Sequence, residues 1–148
     1  MSQKLAIFYH LYQNELSGLI YQQQMHRLHT SGLMDACEFI HIGIVGEAEM
    51  FSLPEKARIQ YNKRLTKDEG ETVESMYKFS KENPDYKVLF FHAKGASRQF
   101  VPQLHAWRIF LEYYVIDRWK ECISYLDEYN TVGAKLRMKP YPHYSGNF

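Results

Sequence analysis

The chain is poor in the residues that staple, bend or strongly charge a protein. Its two cysteines, Cys37 and Cys122, lie 85 residues apart with no CxxC or Cys/His metal spacing around either, which excludes a disulfide framework and a cysteine-rich zinc fold. Both sit in apolar surroundings and read as buried free thiols of a reducing cytoplasm. Glycine and proline supply only 13 of 148 residues, too few for a fibrous or low-complexity chain. Neither sign of charge dominates: 18 Lys and Arg against 17 Asp and Glu leave a formal charge of +1, so no global field steers nucleic acid or an anionic membrane onto the surface. The one basic cluster, at 56, 58, 63, 64 and 67, is followed by acids at 68, 69 and 71, and no nucleic-acid partner is expected. No run approaches the ~20 apolar residues of a spanning helix, and the five apolar residues before His10 are too few for a signal peptide.

What is present is enough for a single domain with a real core: 148 residues, 45% hydrophobic. Aromatics are the one excess, at 16% with twelve Tyr and nine Phe. Their apolar area with a polar tip suits a carbohydrate or nucleotide surface as well as a core.

KLAIFYH (4–10) reads as a buried strand, followed by a helix over about 15–29 with Leu16, Leu19, Ile20 and Leu28 on one stripe and Gln22 to Gln24 solvated. Thr30-Ser31-Gly32 stops that helix. FIHIGIV (39–45) is continuously apolar apart from His41, the pattern of a strand in a parallel sheet covered on both faces. Residues 57–61 fit a short edge strand or a helix. A helix over 69–81 places Val73, Met76, Tyr77 and Ser80 inward, and Asn83-Pro84-Asp85 ends it. KVLFF (87–91) is the clearest strand. A helical region over 101–129 is long enough to be two helices meeting near Asp117, and 131–136 reads as a last strand before a loop-like tail. Strands separated by helices make a three-layer α/β domain with a mostly parallel sheet and helices on both faces, Rossmann-like in build. Ligands of such sheets sit beyond the carboxyl ends of the strands, which selects 10–12, Gly46, 92–97 and the tail from Pro140.

HAKGAS (92–97) puts an imidazole, an ammonium and a flexible turn beyond a buried strand. Lys94 can neutralise a phosphate and Gly95 can let backbone N–H groups approach it, or the segment is an ordinary strand-to-helix turn. Neither GxxxxGK[ST] nor GxGxxG occurs. His10, His92 and His143 could converge on one metal ion. His41 reads as a satisfied strand histidine, and His26, His29 and His105 as surface or boundary residues. Trp107 and Trp119 read as packing anchors. Arg108 either clamps a phosphate or carboxylate or pairs with Glu112, four residues on. No Ser-His-Asp or Cys-His pattern has support.

The succession YHLYQNE at 9–15, SGLMDAC at 31–37, IHIGIVG at 40–46, ETVESMYKFSKENPDYKVLFFHAKGAS at 71–97, WRIFLEYYVIDRWKECISYLDEYNTVG at 107–133 and PHYSGNF at 142–148 resembles a family of glycosyltransferase-like proteins of bacterial surface-polysaccharide clusters, large viruses and phages. That family shows a strand ending in H-[TS]-K-G, a W-R ahead of a long aromatic helix, and H-[FY]-S-G-N-[FY]. The resemblance implies a nucleotide-sugar-binding α/β domain of the GT-A kind that passes a sugar from a UDP- or GDP-type donor to a glycan or other hydroxyl acceptor. It implies that His92, Lys94 and Gly95 line the diphosphate, that Tyr9 and His10 sit by the base or ribose, and that Arg108 orients the loop. His143, Ser145, Gly146 and Asn147 would close over the donor sugar. His143 is the candidate base, because its reference pKa near ~6.5 suits proton transfer at neutral pH.

Two departures shape the expectation. GT-A enzymes usually hold Mn²⁺ or Mg²⁺ on an Asp-x-Asp after the central strand, whereas here that place reads His92-Ala93-Lys94 and no Asp-x-Asp occurs. Cations such as Lys94 and Arg98 would then meet the leaving-group charge. Family members also continue beyond this motif, whereas this chain stops at Phe148. A C-terminally truncated domain, a homo-oligomer or a partner subunit that supplies the missing wall therefore stays open. So does the alternative of a non-catalytic nucleotide- or glycan-binding module.

Overall fold

A strand that is apolar on both faces has to be covered on both, and KLAIFYHLY is such a strand. The computed structural model describes residues 3–47, 51–63, 68–96, 100–145 and 148. In it β1 (Lys4–Tyr12), β2 (Phe39–Val45), β3 (Ala57–Tyr61) and β4 (Tyr86–His92) form one all-parallel sheet in the order β3-β2-β1-β4. β1 is central: Ala6 lies beside Phe39 and Val88, and His10 beside Gly43 and His92.

Alternation along the strands divides their side chains between two cores. Leu5, Ile7, Tyr9 and Leu11 join Ile40, Ile42, Ile44 and Phe91 on one face. That face is covered by α1 (Ser17–Thr30), α2 (Leu33–Ala36), α4 (Pro102–Glu112), a π-helical turn (Tyr113–Asp117) and α5 (Trp119–Tyr125). Ala6, Phe8 and Phe39 face the other way, against Met76 and Phe79 of α3 (Gly70–Glu82). The result is the expected three-layer, Rossmann-like α/β architecture. Among the described residues no helix is long and apolar enough to cross a membrane.

Several elements differ from their sequence pattern. α1 starts at Ser17 because the Asn14 side chain accepts the N–H groups of Leu16 at 3.0 Å and Ser17 at 3.1 Å. Leu19 is exposed, and Gln24, expected in solvent, is fully buried because its amide finds polar partners inside. On α3 the buried face begins one residue earlier than expected, at Thr72, Met76 and Phe79, which leaves Tyr77 59% exposed. Phe79 sits at ring-centroid distances of 5.5 Å from Phe8 and 5.2 Å from Phe39. The helical region after β4 divides as expected near Asp117, at the π-helical turn.

The expected strand over 131–136 is not part of the main sheet. Only β5 (Leu136–Arg137) is extended there, and it pairs antiparallel with β6 (His143–Tyr144). Tyr144 explains this. Its ring covers Gly133, where an added Cβ would come within 2.6 Å, and its hydroxyl donates to Thr131 O at 3.1 Å. Both cysteines are free: Cys37 is buried and Cys122 half-buried.

Gly43 stands inside β2 because α3 comes too close for a side chain: a Cβ there would be 1.9 Å from Thr72 Oγ1. Gly43→Ala should therefore cost about 2–3 kcal/mol in urea unfolding. Gly18 in α1 has nothing among the described residues within 4 Å of an added Cβ, and Gly18→Ala should instead stabilise by about 0.4–1 kcal/mol. Equal effects of the two substitutions would contradict the close approach of α3.

Candidate functional site

The chain leaves β1 through α1 toward β2 on one side, and it reaches β4 on the other side of β1 after α3. Successive connections thus diverge between β1 and β4, and the place beyond their carboxyl ends is where sheets of this kind hold their ligand crevice. His10 and His92 stand opposite each other there, in register. β4 runs straight into a tight turn: Ala93 N–H donates to His10 O at 3.2 Å, Lys94 N–H to His92 O at 2.8 Å and Ala96 N–H to Ala93 O at 3.0 Å. Gly95 closes the turn at φ 88°. Among the described residues only Leu104 Cβ, at 3.8 Å, would meet a side chain there, and the left-handed backbone demands glycine.

Beneath the turn lies a buried ionic network on the α1 and α4 side. Arg108 donates from Nη1 to Lys94 O at 3.3 Å and from Nη2 to Gln23 Oε1 at 3.1 Å and His105 Nδ1 at 2.6 Å. Its Nε faces Glu112 Oε1 at 3.2 Å, with the two side chains 3% and 1% exposed. Gln24 Nε2 donates to the same carboxylate oxygen at 2.8 Å and to His92 O at 3.1 Å, while Gln24 Oε1 accepts from Tyr9 Oη at 2.7 Å. Arg27 bridges Glu112 at 3.2 Å and Asp117 at 3.3 Å. The π-helical turn makes that bridge possible. Its i→i+5 repeat, seen in Arg118 N–H to Tyr113 O at 3.2 Å, turns Glu112 and Asp117 toward one side.

Burial pushes the Glu112 carboxyl above the usual range, and the bond from Gln24 and the charges of Arg108 and Arg27 pull it back. Burial also pushes the Arg108 guanidinium down, which Glu112 opposes. Two permanent cations on one carboxylate keep it ionised. His105 is held below its ordinary range, first by burial and then by Arg108. Burial raises the Tyr9 phenol well above its usual value, so it stays a neutral donor.

A second polar chain lies on the α3 side. His10 Nδ1 is 2.9 Å from Thr72 Oγ1, and Asn62 Nδ2 donates to the same oxygen at 3.3 Å. Gln60 links Asn62, at 3.2 Å, to His41 Nε2, at 2.7 Å. His41 also stacks on Phe8 at 4.9 Å, as a satisfied strand histidine should.

The residues singled out in the sequence fall into four groups. His10, His92, Lys94 and Gly95 come together at the crevice, with Arg108 under them. Arg108 pairs with Glu112, as one of the two sequence-based alternatives has it, and also donates to the Lys94 carbonyl. Tyr9 does not line the crevice: strand alternation turns it into the core, where its hydroxyl is committed to Gln24. His143 and Ser145 belong to the β5–β6 ribbon, where His143 Nδ1 bonds Tyr141 O at 2.7 Å and Ser145 N–H bonds Lys135 O at 2.8 Å. His10, His92 and His143 do not converge on a metal, since among the described residues no three His, Cys, Asp or Glu side chains group to hold one. Arg98, Gly146 and Asn147 lie outside the described residues.

Sequence reasoning missed Gln24, Thr72, Asn62 and Phe148. Phe148 is buried against the site, its ring 5.3 Å from His92 and 6.0 Å from Phe91. It also borders an apolar groove of about 330 Å³ along β4, lined by Val88, Phe90, Trp119, Ile123 and Tyr144. The signal for Phe148 was its place in PHYSGNF; Gln24 and Thr72 carried none beyond helical spacing.

The sequence pattern of one family, Domain of unknown function (DUF8361), matches residues 8–148. No curated protein and no solved structure matches the chain.

Arg108→Met leaves Glu112 buried with one cation fewer and should cost about 3 kcal/mol or more in urea unfolding. The double variant Arg108→Met with Glu112→Met should cost clearly less than the sum of the two singles; additive losses would contradict the coupling. His41 gives a pH prediction. Burial lowers its folded-state pKa, with the Gln60 bond opposing and Arg58 adding. The unfolded chain therefore binds the proton more readily, and this contribution to stability is complete above about pH 6.5 and declines as pH falls below it. His41→Gln should flatten that acid-side decline in a pH series of unfolding midpoints, and an unchanged slope would count against it.

Proposed function

The chain belongs to the DUF8361 family, a domain of unknown function, and from its site we propose that it transfers a sugar from a nucleoside-diphosphate sugar to a glycan or other hydroxyl acceptor. The observation that carries this reading is the pairing of His10 with His92 at the divergence point of the sheet, with Lys94 on the left-handed turn just beyond. Crevices in that position take nucleotides in doubly wound sheets. The likeness of HAKG, WR and PHYSGNF to glycosyltransferase-like motifs gives the nucleotide a sugar to carry.

In the reaction, an acceptor oxygen bonds to the anomeric carbon while that carbon's bond to the diphosphate oxygen breaks. The electron pair leaves with the nucleoside diphosphate, whose added charge Lys94 offsets, and the acceptor proton passes to a base. His143 has the tautomer a base needs. A carbonyl can only accept, so Nδ1 carries a proton in the bond to Tyr141 O, and in the neutral ring Nε2 is the accepting nitrogen. Ser145, next to His143 in the chain, is held by its N–H bond to Lys135 O at 2.8 Å. Tyr9 supports the site from the core through Gln24 and His92 O, in place of contacting the base or ribose. Mn²⁺ or Mg²⁺ does not fit the residues in the place where GT-A enzymes hold it: His92, Ala93 and Lys94 supply no carboxylate and bring a cation. No step is routed through a metal.

Calorimetric titration with UDP, GDP, CMP, dTDP and their common sugars, each with and without Mn²⁺, tests the proposal. One nucleotide family should bind without metal. Lys94→Ala should weaken it by roughly 10–100-fold, the loss of one charge-assisted bond. Unchanged affinity would remove Lys94 from the site. Binding without sugar transfer to any acceptor would favour the non-catalytic module, and no binding at all would overturn the donor site.

A further inference from the structure

The polar chain on the α3 side has a direction that can be followed from one end. The Glu71 carbonyl can only accept, so the Gln60 nitrogen facing it at 3.4 Å is a donor, Nε2. Gln60 Oε1 then lies on the opposite side, where it accepts from His41 Nε2 at 2.7 Å and Ser75 Oγ at 2.6 Å. Gln60 Nε2 also donates to Asn62 Oδ1 at 3.2 Å, which leaves Asn62 Nδ2 to donate to Thr72 Oγ1 at 3.3 Å. The Thr72 oxygen thus accepts from Asn62. Its single proton goes to its other partner among the described residues, His10 Nδ1 at 2.9 Å. An imidazole that accepts at Nδ1 carries its ring proton on Nε2.

We propose that Thr72 is a positioning residue that fixes His10 as a hydrogen-bond donor through Nε2, so that the ligand atom His10 serves is an acceptor oxygen of the nucleotide. The second half of this inference rests on the donor-site reading above; the first half does not. The fold makes room for the arrangement. Gly43 is the neighbour of His10 in register, and the space its side chain would fill is taken by the Thr72 hydroxyl. Asn62 is fixed in turn by its own N–H bond to Ile44 O at 2.8 Å. With Nδ1 occupied, His10 has no lone pair to offer a substrate, and any base at this site has to be another residue.

Selective ¹⁵N-histidine labelling and long-range ¹H–¹⁵N correlation at about pH 8, above the ordinary histidine range, test the assignment, with His10 identified by the loss of its signals in His10→Gln. The wild type and Thr72→Ser should both show the His10 proton on Nε2 and an accepting Nδ1. Thr72→Val, which keeps the shape and removes the hydroxyl, should lose that state and show exchange between tautomers. A wild-type proton on Nδ1, or a Thr72→Val spectrum identical to wild type, would overturn the inference, and the wild-type spectrum decides it even where Thr72→Val does not fold. Adding whichever of UDP, GDP, CMP or dTDP binds should move the His10 Nε2 resonance, and Thr72→Val should weaken that nucleotide about tenfold while Thr72→Ser does not. An Nε2 resonance unmoved by bound nucleotide would overturn the second half. If no nucleotide binds and the proton is on Nε2, the donor-site reading fails and the tautomer assignment stands. If a nucleotide binds and the proton is on Nδ1, the assignment fails and the donor site stands.

Discussion

A carboxylate buried beneath the carboxyl end of a parallel sheet is the constraint around which one half of this protein is arranged. Glu112 is 1% exposed, and taking an ion out of water costs several kcal/mol unless its surroundings replace the water. Here Arg108, Arg27 and Gln24 replace it. Each of these commits a different part of the chain: Arg27 and Gln24 fix the turn of α1 that faces the sheet, and Arg108 reaches the Lys94 carbonyl. The π-helical turn also follows from this constraint, since it lets Asp117 share Arg27 with Glu112. Neutralising one buried acid therefore orients a surface turn, because the same guanidinium serves both.

The strands were legible in the sequence where burial on both faces made them continuous. FIHIGIV has the bounds of β2, and KVLFF falls one residue short of β4 at each end. Apolar periodicity gives the spacing of a helix face but only weakly fixes its phase. On α3 the expected stripe included Tyr77, whereas Thr72 and Phe79 are the residues that pack. The reason is Gly43, which lets the helix approach where a hydroxyl fits and a larger residue does not. Gln24 was illegible for a related reason. A glutamine between two glutamines reads as solvated, and only the fold brings Tyr9, His92 O and Glu112 within its reach. The two-residue strands of the tail carry no alternation to detect.

The crevice itself was legible by rule more than by motif. Nothing in HAKG specifies a ligand, but a strand that ends in it, beside a strand that ends in His10, places both at the divergence of the sheet. Tyr9 shows the limit of such a rule. It adjoins the crevice in sequence, yet the two-residue period of a strand sends it to the opposite face from His10.

Arg108 and Lys94 are not interchangeable, and their chemistry explains the division between them. Arg108 works from a fixed place, and its planar fork divides among Glu112, Gln23, His105 and the Lys94 carbonyl. An ammonium could not span those directions at once. Lys94 stands on the turn itself, half-buried, as a compact charge on a flexible stem. Exchanging them would put a point charge where several acceptors have to be held. The backbone between them couples the roles, since the turn that carries Lys94 is fixed by the residue beneath it. On the α3 side Thr72 does for His10 what Arg108 does for the turn, with a hydroxyl in place of a guanidinium. Both sides thus follow one pattern, in which a buried polar group sets the presentation of a residue nearer the carboxyl ends of the strands.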